Sequence, residues 1–424
     1  MRNICILILL FCSLRASAAD GDSVRHVGFS FSLMPHWQIA MDQYERMWLQ
    51  KKQGFAFGAE LDFTSVPADH DAFAEDYNYP TLSLGAMLSL NHGVTMRRTA
   101  DHSWGKAQLV DYDSHLGNIF TIYGNFSRPL LRRGRWQLDY SLRAGIGYNS
   151  WYYNPHDNID NELIGSALSI HFGAALMGYY NVTDDWALMG GLAYGHHSNG
   201  ALARPNKGEN HWGPVIGVRY RPYDKAIRNR PAAAAWLSDS VGKYPLSGRL
   251  RGPYLDFRLG IGGKTLLEDW QRTQYNTEPG EPDYRTDDFH FYMSYSASVA
   301  FMYRYARRWA SGIGADVYYG TYYKHVRDLD EAAGISTKHS PWSIGISARH
   351  EVYYHNFSLD LALGIYLHRH MGSHAKEIEQ PYYERVGVFY TFPKLGHLKV
   401  GASVQAHRTK ADLTEVQVSI PVKL

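Results

Sequence analysis

The sequence has almost no cysteine, and this excludes several kinds of site. Among 424 residues only Cys5 and Cys12 are cysteines. Both lie where a positively charged start, an apolar run over 4–14 and the small residues 16–18 are typical of a secretory signal peptide. We therefore predict a signal peptide over residues 1–19. The mature chain then has no thiol chemistry, no disulfide and no cysteine-based metal site.

Long apolar runs and a strong net charge are also missing. After residue 20 no unbroken apolar stretch reaches the roughly 20 residues that a membrane helix needs. The formal net charge is only +2 at pH 7, which argues against nucleic acid as a partner. Neither absence excludes a membrane β-barrel, because only alternate residues of a barrel strand meet lipid.

Tyrosine and glycine are abundant instead, with 32 and 39 copies, which favours strands and turns over helices. Bulky apolar residues alternate with small or polar ones in segment after segment, and this is the pattern of strands with two unlike faces. The first half yields predicted strands near 26–34, 54–63, 81–91, 116–127, 135–151, 166–181, 186–198 and 210–222. The second half yields them near 254–265, 289–305, 309–323, 342–354, 357–368, 383–392, 397–409 and 412–422.

We predict an all-β fold, a transmembrane antiparallel β-barrel with apolar residues outside and aromatic girdles at the strand ends. A soluble β-sandwich or lipocalin-like barrel also fits the alternation and is the competing interpretation. An Arg-, Pro- and Ala-rich linker over 223–252 interrupts the alternation of apolar and polar residues. We therefore expect two tandem eight-stranded units, 20–222 and a degenerate repeat over 253–424; a single barrel of about 14–16 strands is the alternative.

The candidate functional stretch lies at the end of the strand 186–198. His196 and Ser198 continue the bulky apolar face, and Asn210 has the matching parity on the next strand. Such polar groups on a lipid-facing surface suggest a substrate that lies in the membrane. An imidazole there can take the hydroxyl proton while the serine oxygen attacks an ester carbonyl. The alternative is that these are ordinary polar residues at the membrane interface.

A family resemblance is carried by His196-x-Ser198-Asn199 followed by Pro205-Asn206-x-Gly208. This pattern resembles the outer-membrane lipid A 3-O-deacylases of the PagL type, including longer relatives called acyloxyacyl hydrolases. The similarity covers about residues 25–222, and the second half looks like the extension of the longer relatives. It implies hydrolysis of an ester-linked acyl chain of lipid A, with His196 as general base and Ser198 as nucleophile.

The third catalytic position departs from the family. Its glutamate matches Asn210 here, while Glu209, the alternative third member, lies one residue earlier with the opposite parity. Asparagine can orient an imidazole by accepting its N–H but cannot offset the charge of the imidazolium, so the resemblance implies a slow enzyme. Asn199, Asn206 and Gly208 are the expected oxyanion and support residues.

The resemblance also implies partners and location. Lipopolysaccharide, through its lipid A, is the expected substrate, outer-membrane lipids the surroundings, and the cell outer membrane the location. No cofactor, metal or nucleic acid is expected, and a homodimer is left open. Two other functions remain from the residues alone: a non-catalytic structural or pore-forming barrel, and a soluble periplasmic binding protein.

Other polar clusters are given structural roles. His197 and His211 are predicted to face inward as packing residues rather than metal ligands. In the second half His407, Thr409 and Glu415 look like a decayed counterpart of the site. The parity of His407 and Glu415 predicts that they point into the barrel and away from lipid.

Overall fold

The computed structural model describes residues 26–223, 225–228, 251–375, 380–408 and 410–424. The predicted signal peptide, most of the predicted linker and Thr409 lie outside these residues. No helix in the described part of the chain is long and apolar enough to cross a membrane.

The first half forms a closed antiparallel barrel of eight long strands. These strands are β1 (His26–Gln38), β2 (Leu49–Thr64), β3 (Thr81–Leu90), β6 (Ile119–Arg133), β7 (Trp136–Asn149), β8 (Leu168–Asn181), β9 (Trp186–Ser198) and β10 (Glu209–Tyr220). The barrel closes because β1 pairs with both β2 and β10. Two short strands, β4 (Val94–Met96) and β5 (Ser114–His115), extend the sheet beyond β2.

The second half forms another closed antiparallel barrel, with β18 paired to β11. Its strands are β11 (Gly252–Lys264), β12 (Tyr292–Arg304), β13 (Trp309–Gly320), β14 (Trp342–Tyr354), β15 (Phe357–Arg369), β16 (Tyr382–Phe392), β17 (Leu398–His407) and β18 (Lys410–Lys423). Since β10 pairs with β1 rather than with β11, the prediction of two eight-stranded barrels is confirmed and the single larger barrel is wrong.

Short helices occur only between strands in the described chain. They are α1 (Gln43–Trp48), α2 (Ala72–Asp76), α3 (Lys225–Arg228), α4 (Leu267–Gln271) and α5 (Tyr323–Ala332). Single turns of other helix types span Pro67–Asp69, Arg272–Asn276, Ser373–Ala375 and Pro393–Leu395. The side chain of Asp42 begins α1 by accepting a hydrogen bond of 2.6 Å from the backbone N–H of Glu45.

The two faces of each strand are those of a membrane barrel. On β9 and β10 the outward side chains of Leu188 and Ile216 are 55% and 60% exposed, whereas His197 and Glu209 on the opposite face are buried. Apolar side chains thus point outward and polar ones inward, as lipid requires. A soluble barrel has the reverse arrangement, so that interpretation is wrong.

Side chains fill both lumens, as expected for eight strands. In the first barrel Tyr123 packs on Gly85, where a Cβ would fall 2.3 Å from the ring. The second barrel is filled largely by buried ion pairs. They include Arg258–Asp360 at 3.1 Å, Arg349–Asp316 at 2.7 Å, Arg385–Asp316 at 3.2 Å and Lys399–Glu351 at 2.8 Å.

The two rims of the barrels differ. Short turns such as 134–135 and 355–356 join strands at one rim, which also holds the start of β1 and the end of β18. Longer connections, including 91–118, 150–167, 199–208 and 265–291, lie at the other rim. The end of β9 lies at the rim with the long connections.

Candidate active site

The end of β9 and the start of β10 bring the predicted site residues together. Asn210 is the cross-strand partner of His196, and Ser198 pairs with Ile170 on β8. His196 and Ser198 lie on the outer face and are half-buried, while Asn210 is buried. The alternation of β9 causes this placement, because residues two apart share a face.

Asn210 fixes the orientation of the imidazole. Its Nδ2 donates to the Gly208 carbonyl at 3.2 Å, so Oδ1 faces the other way. That oxygen accepts from the Tyr194 hydroxyl at 2.6 Å and lies 2.8 Å from His196 Nδ1. Because an amide oxygen only accepts, the proton sits on Nδ1. Nε2 is therefore the basic nitrogen of His196.

Ser198 is not bonded to this base in the resting structure. Within the described residues, neither its hydroxyl nor Nε2 of His196 has a hydrogen bond. A nucleophile and base often come within bonding distance only when substrate is bound. Both groups share the outer face, so a lipid ester can reach them sideways from the membrane.

Several hydrogen-bond donors of the loop between β9 and β10 are already bonded within the protein. The N–H of Asn199 bonds to Asn206 Oδ1 at 2.9 Å, and its Nδ2 to the Pro205 carbonyl at 3.4 Å. The N–H of Gly208 bonds to the Leu163 carbonyl at 3.0 Å. Among the predicted support residues, the described chain gives only Asn206 a side-chain amide donor without a partner.

Glu209 lies on the opposite face from His196, inside the lumen. Its carboxylate accepts from Gln38 at 2.6 Å, and its oxygens lie 2.7 Å from His197 Nδ1 and 2.6 Å from His211 Nδ1. The structure therefore places Asn210, not the alternative third member, beside His196.

The lumen group also has the composition of a metal site. His197, Glu209 and His211 offer ligand atoms within 4.8 Å of one another. Their N···O separations of 2.6 and 2.7 Å are those of charge-assisted hydrogen bonds. Two ligands of one tetrahedral zinc ion, each about 2.0–2.1 Å from it, would lie further apart. The geometry thus describes a hydrogen-bonded lumen cluster.

Among the described residues of its corresponding hairpin, which exclude Thr409, the second barrel has no comparable outward pair. His407 is buried and lies 3.0 Å from the Tyr366 hydroxyl through Nε2. Glu415 is buried and accepts from Gln417 at 2.9 Å. Both point into the lumen, as their parity predicts.

Tyr194 is the site residue that sequence reasoning missed. Its parity places it on the apolar outer face, yet its hydroxyl shares Asn210 Oδ1 with His196. The available signal was its position two residues before His196 on the same face. A tyrosine there can present a ring to lipid and a hydroxyl to the site.

Fold and surface together define the class: a transmembrane protein of two eight-stranded barrels, with a histidine and a serine on the lipid-facing side of the first. Comparison with known families agrees. Residues 93–219 match the family described as lipid A 3-O-deacylase (PagL). Residues 254–423 match the acyloxyacyl hydrolase, C-terminal domain. The chain belongs to the PagL family of lipid A deacylases, in a form that carries this C-terminal domain.

The sequence has no significant match among curated proteins. Similar solved structures include a triple mutant of Rhodopseudomonas blastica porin, with 8% identity, coverage of 94% of this chain and 100% of that one, and a TM-score of 0.15. The Pseudomonas putida toluene transporter TodX has 8% identity, coverage of 97% and 92%, and a TM-score of 0.18. Pseudomonas aeruginosa OccD3 has 9% identity, coverage of 96% and 93%, and a TM-score of 0.21.

Proposed function

We propose that this protein is an outer-membrane esterase that removes an ester-linked acyl chain from the lipid A of lipopolysaccharide. The observation that carries the proposal is the outward-facing pair His196 and Ser198, with Asn210 bonded to Nδ1 of the imidazole. The match to the lipid A 3-O-deacylase family supports the substrate and makes the 3-O-linked chain the first candidate.

The chemistry proceeds in two steps. Ser198 Oγ attacks the ester carbonyl as its proton moves to Nε2 of His196. The tetrahedral intermediate collapses, the sugar oxygen leaves with the proton from Nε2, and the acyl chain stays on Ser198. Water then attacks this acyl-enzyme with His196 again as base, releasing the fatty acid and restoring the serine. Nδ2 of Asn206 is the donor proposed for the oxyanion.

Asn210 sets the expected rate. It holds His196 in the productive tautomer, but it adds no negative charge beside the imidazolium that forms in each step. We infer a slow hydrolase, with orientation retained and charge stabilisation missing. Glu209 does not supply that charge directly, because its carboxylate bonds to His197 and His211 on the lumen side.

The proposal also assigns the rest of the chain. Residues 1–19 are a cleaved signal peptide that sends the protein toward the outer membrane. Residues 20–222 are the hydrolytic unit, and 253–424 are the degenerate second unit after the linker 223–252. The filled, ion-paired lumen of the second barrel favours this assignment over a pore.

Released fatty acid provides the test. Purified protein is incubated with lipopolysaccharide, and both lipid A and free fatty acid are followed by mass spectrometry. Ser198→Ala and His196→Ala should each reduce release to background, because nucleophile and base act as a unit. Ser150→Ala, at an exposed serine of the same rim, is the matched control. If wild type releases no more than Ser198→Ala, the enzyme proposal is wrong.

A further inference from the structure

The site loop of the first barrel is held directly by the second barrel. The Gly200 carbonyl accepts from the Thr414 hydroxyl of β18 at 2.6 Å. The Ala201 carbonyl accepts from both the N–H and the hydroxyl of Thr265, at 2.9 and 3.1 Å. Arg204 donates back to the Thr265 carbonyl at 3.0 Å. These bonds begin two residues after Ser198.

The backbone of this loop requires such support. Gly200 and Ala201 both adopt left-handed conformations, with φ of 62° and 70°. For alanine this region is unfavourable and persists only where surrounding contacts enforce it. Ala201 is fully buried, and the contacts that fix it come from Thr265. The loop geometry after the serine thus depends on the second barrel.

A second connection reaches the other end of the loop. The N–H groups of Lys207 and Gly208 bond to the carbonyls of Glu162 and Leu163 at 3.1 and 3.0 Å. The buried Glu162 carboxylate accepts from the Tyr275 hydroxyl of the second barrel at 2.7 Å and from Arg98 at 2.5 Å. Tyr275 therefore stabilises the segment that carries Gly208, whose carbonyl orients Asn210.

We propose that the second barrel is a positioning unit for the first barrel's site, acting through Thr265, Thr414 and Tyr275. The catalytic measurement that tests this proposal rests on the proposed function. The three residues do not touch the reacting groups. They hold both ends of the loop 199–208, which sets the position of Asn206 and the angle of the His196–Asn210 pair. This gives the duplicated barrel a role that its own inward-facing His407 and Glu415 do not supply.

Contacts between the barrels at the opposite rim provide a control that distinguishes positioning of the site from simple docking of the two barrels. There Arg307 lies 2.8 Å from Asp76, and the Tyr77 hydroxyl donates to the Tyr353 carbonyl at 2.8 Å. These bonds also join the barrels, but at the end of the strands away from the site. Tyr77→Phe and Tyr275→Phe therefore each remove one phenolic hydroxyl, at opposite ends of the interface between the barrels.

The test uses the full-length protein and two readouts. Hydrogen exchange reports protection of the loop 199–208, and turnover on lipopolysaccharide reports catalysis. Thr414→Val removes one hydrogen bond, and Tyr275→Phe removes the hydroxyl that bonds to Glu162, Arg98 and Tyr44. Each should raise loop exchange and lower kcat by roughly threefold to tenfold, with KM nearly constant. Thr414→Ser should restore both values. Tyr77→Phe should change neither.

The outcomes distinguish this proposal from the proposed function. An inactive wild type whose loop is protected, and loses protection in Thr414→Val, would overturn the esterase and support positioning. An active wild type with unchanged loop exchange and kcat in Thr414→Val and Tyr275→Phe would overturn positioning and leave the esterase intact. An equal loss of kcat in Tyr77→Phe would also overturn positioning, because docking alone would then explain the effect.

Discussion

At the scale of single residues, the proposed function makes Asn210 the position that decides how fast the site turns over. Replacing it by alanine removes the bond to His196 Nδ1, and we expect turnover to fall about tenfold, the effect of one hydrogen bond. Asn210→Glu places a carboxylate beside the imidazolium and should raise kcat above wild type. Fatty-acid release measured for the three proteins in parallel checks this order. A glutamate variant slower than the alanine variant would contradict it.

The sequence predicts the side on which each of these residues lies but not all of their contacts. Strand alternation places His196, Ser198 and Asn210 outside and Glu209 inside, because the side-chain period of a strand is two. It does not reveal that the Tyr194 hydroxyl bonds to Asn210, since the parity rule counts tyrosine only as an apolar ring. Alternation also gives no distances, so the contacts of Asn206 and Gly208 could be identified only in the folded loop.

At the scale of elements, the loop between β9 and β10 contains a glycine that the proposed site requires. Gly208 has φ of 84°, and a Cβ there would fall 2.7 Å from His196 Cε1. Gly208→Ala should displace the imidazole and reduce turnover at least tenfold. Gly134→Ala is the control: its φ is 59° but no atom lies within 4 Å of the added Cβ. Both should lose about 1 kcal/mol of stability, and only the first should lose activity.

The helix α1, beside the same loop, has a titrating group. Burial raises the pKa of Glu45 to about 7 from 4.5, against the opposing effects of the Met41 N–H and Lys207. Because the folded state binds the proton more tightly, stability is full below about pH 4.5 and falls as the pH rises through 7. Glu45→Gln mimics the protonated form. Its denaturation midpoint should match wild type at pH 4 and exceed it at pH 8. The same difference in midpoint between the two proteins at pH 4 and at pH 8 would contradict this prediction.

These loop elements were the least predictable part of the fold. All sixteen long strands lie close to their predicted positions, because each alternates over ten or more residues. The short strands β4 and β5 and the helix α1 span only two to six residues, too few for a period to show. They are specified by long-range contacts instead, such as the bond from the Tyr44 hydroxyl in α1 to Glu162 at 2.8 Å.

At the scale of the whole molecule, the count of sixteen strands did not by itself distinguish two barrels from one. Closure of the sheet decides between the two architectures. Because β1 pairs with both β2 and β10, the eight long strands of the first half leave no open edge for β11. Closure at eight strands also fixes the interior width, which side chains can fill. Closure and filling together favour a site on the outer surface of the barrel over a channel through it.

This separation can be measured as ion conductance. Crossing the second barrel would require an ion to displace buried pairs such as Arg258–Asp360 and Lys399–Glu351, whose side chains are at most 2% exposed. We therefore expect no conductance steps from the purified protein in planar bilayers, under conditions where a porin gives them. Arg258→Ala should not open a channel; it should instead destabilise the barrel by about 3–5 kcal/mol, because Asp360 is left as a buried unpaired charge. Porin-sized steps from wild type would show that the lumen is not filled in the membrane and would restore the pore as the competing function.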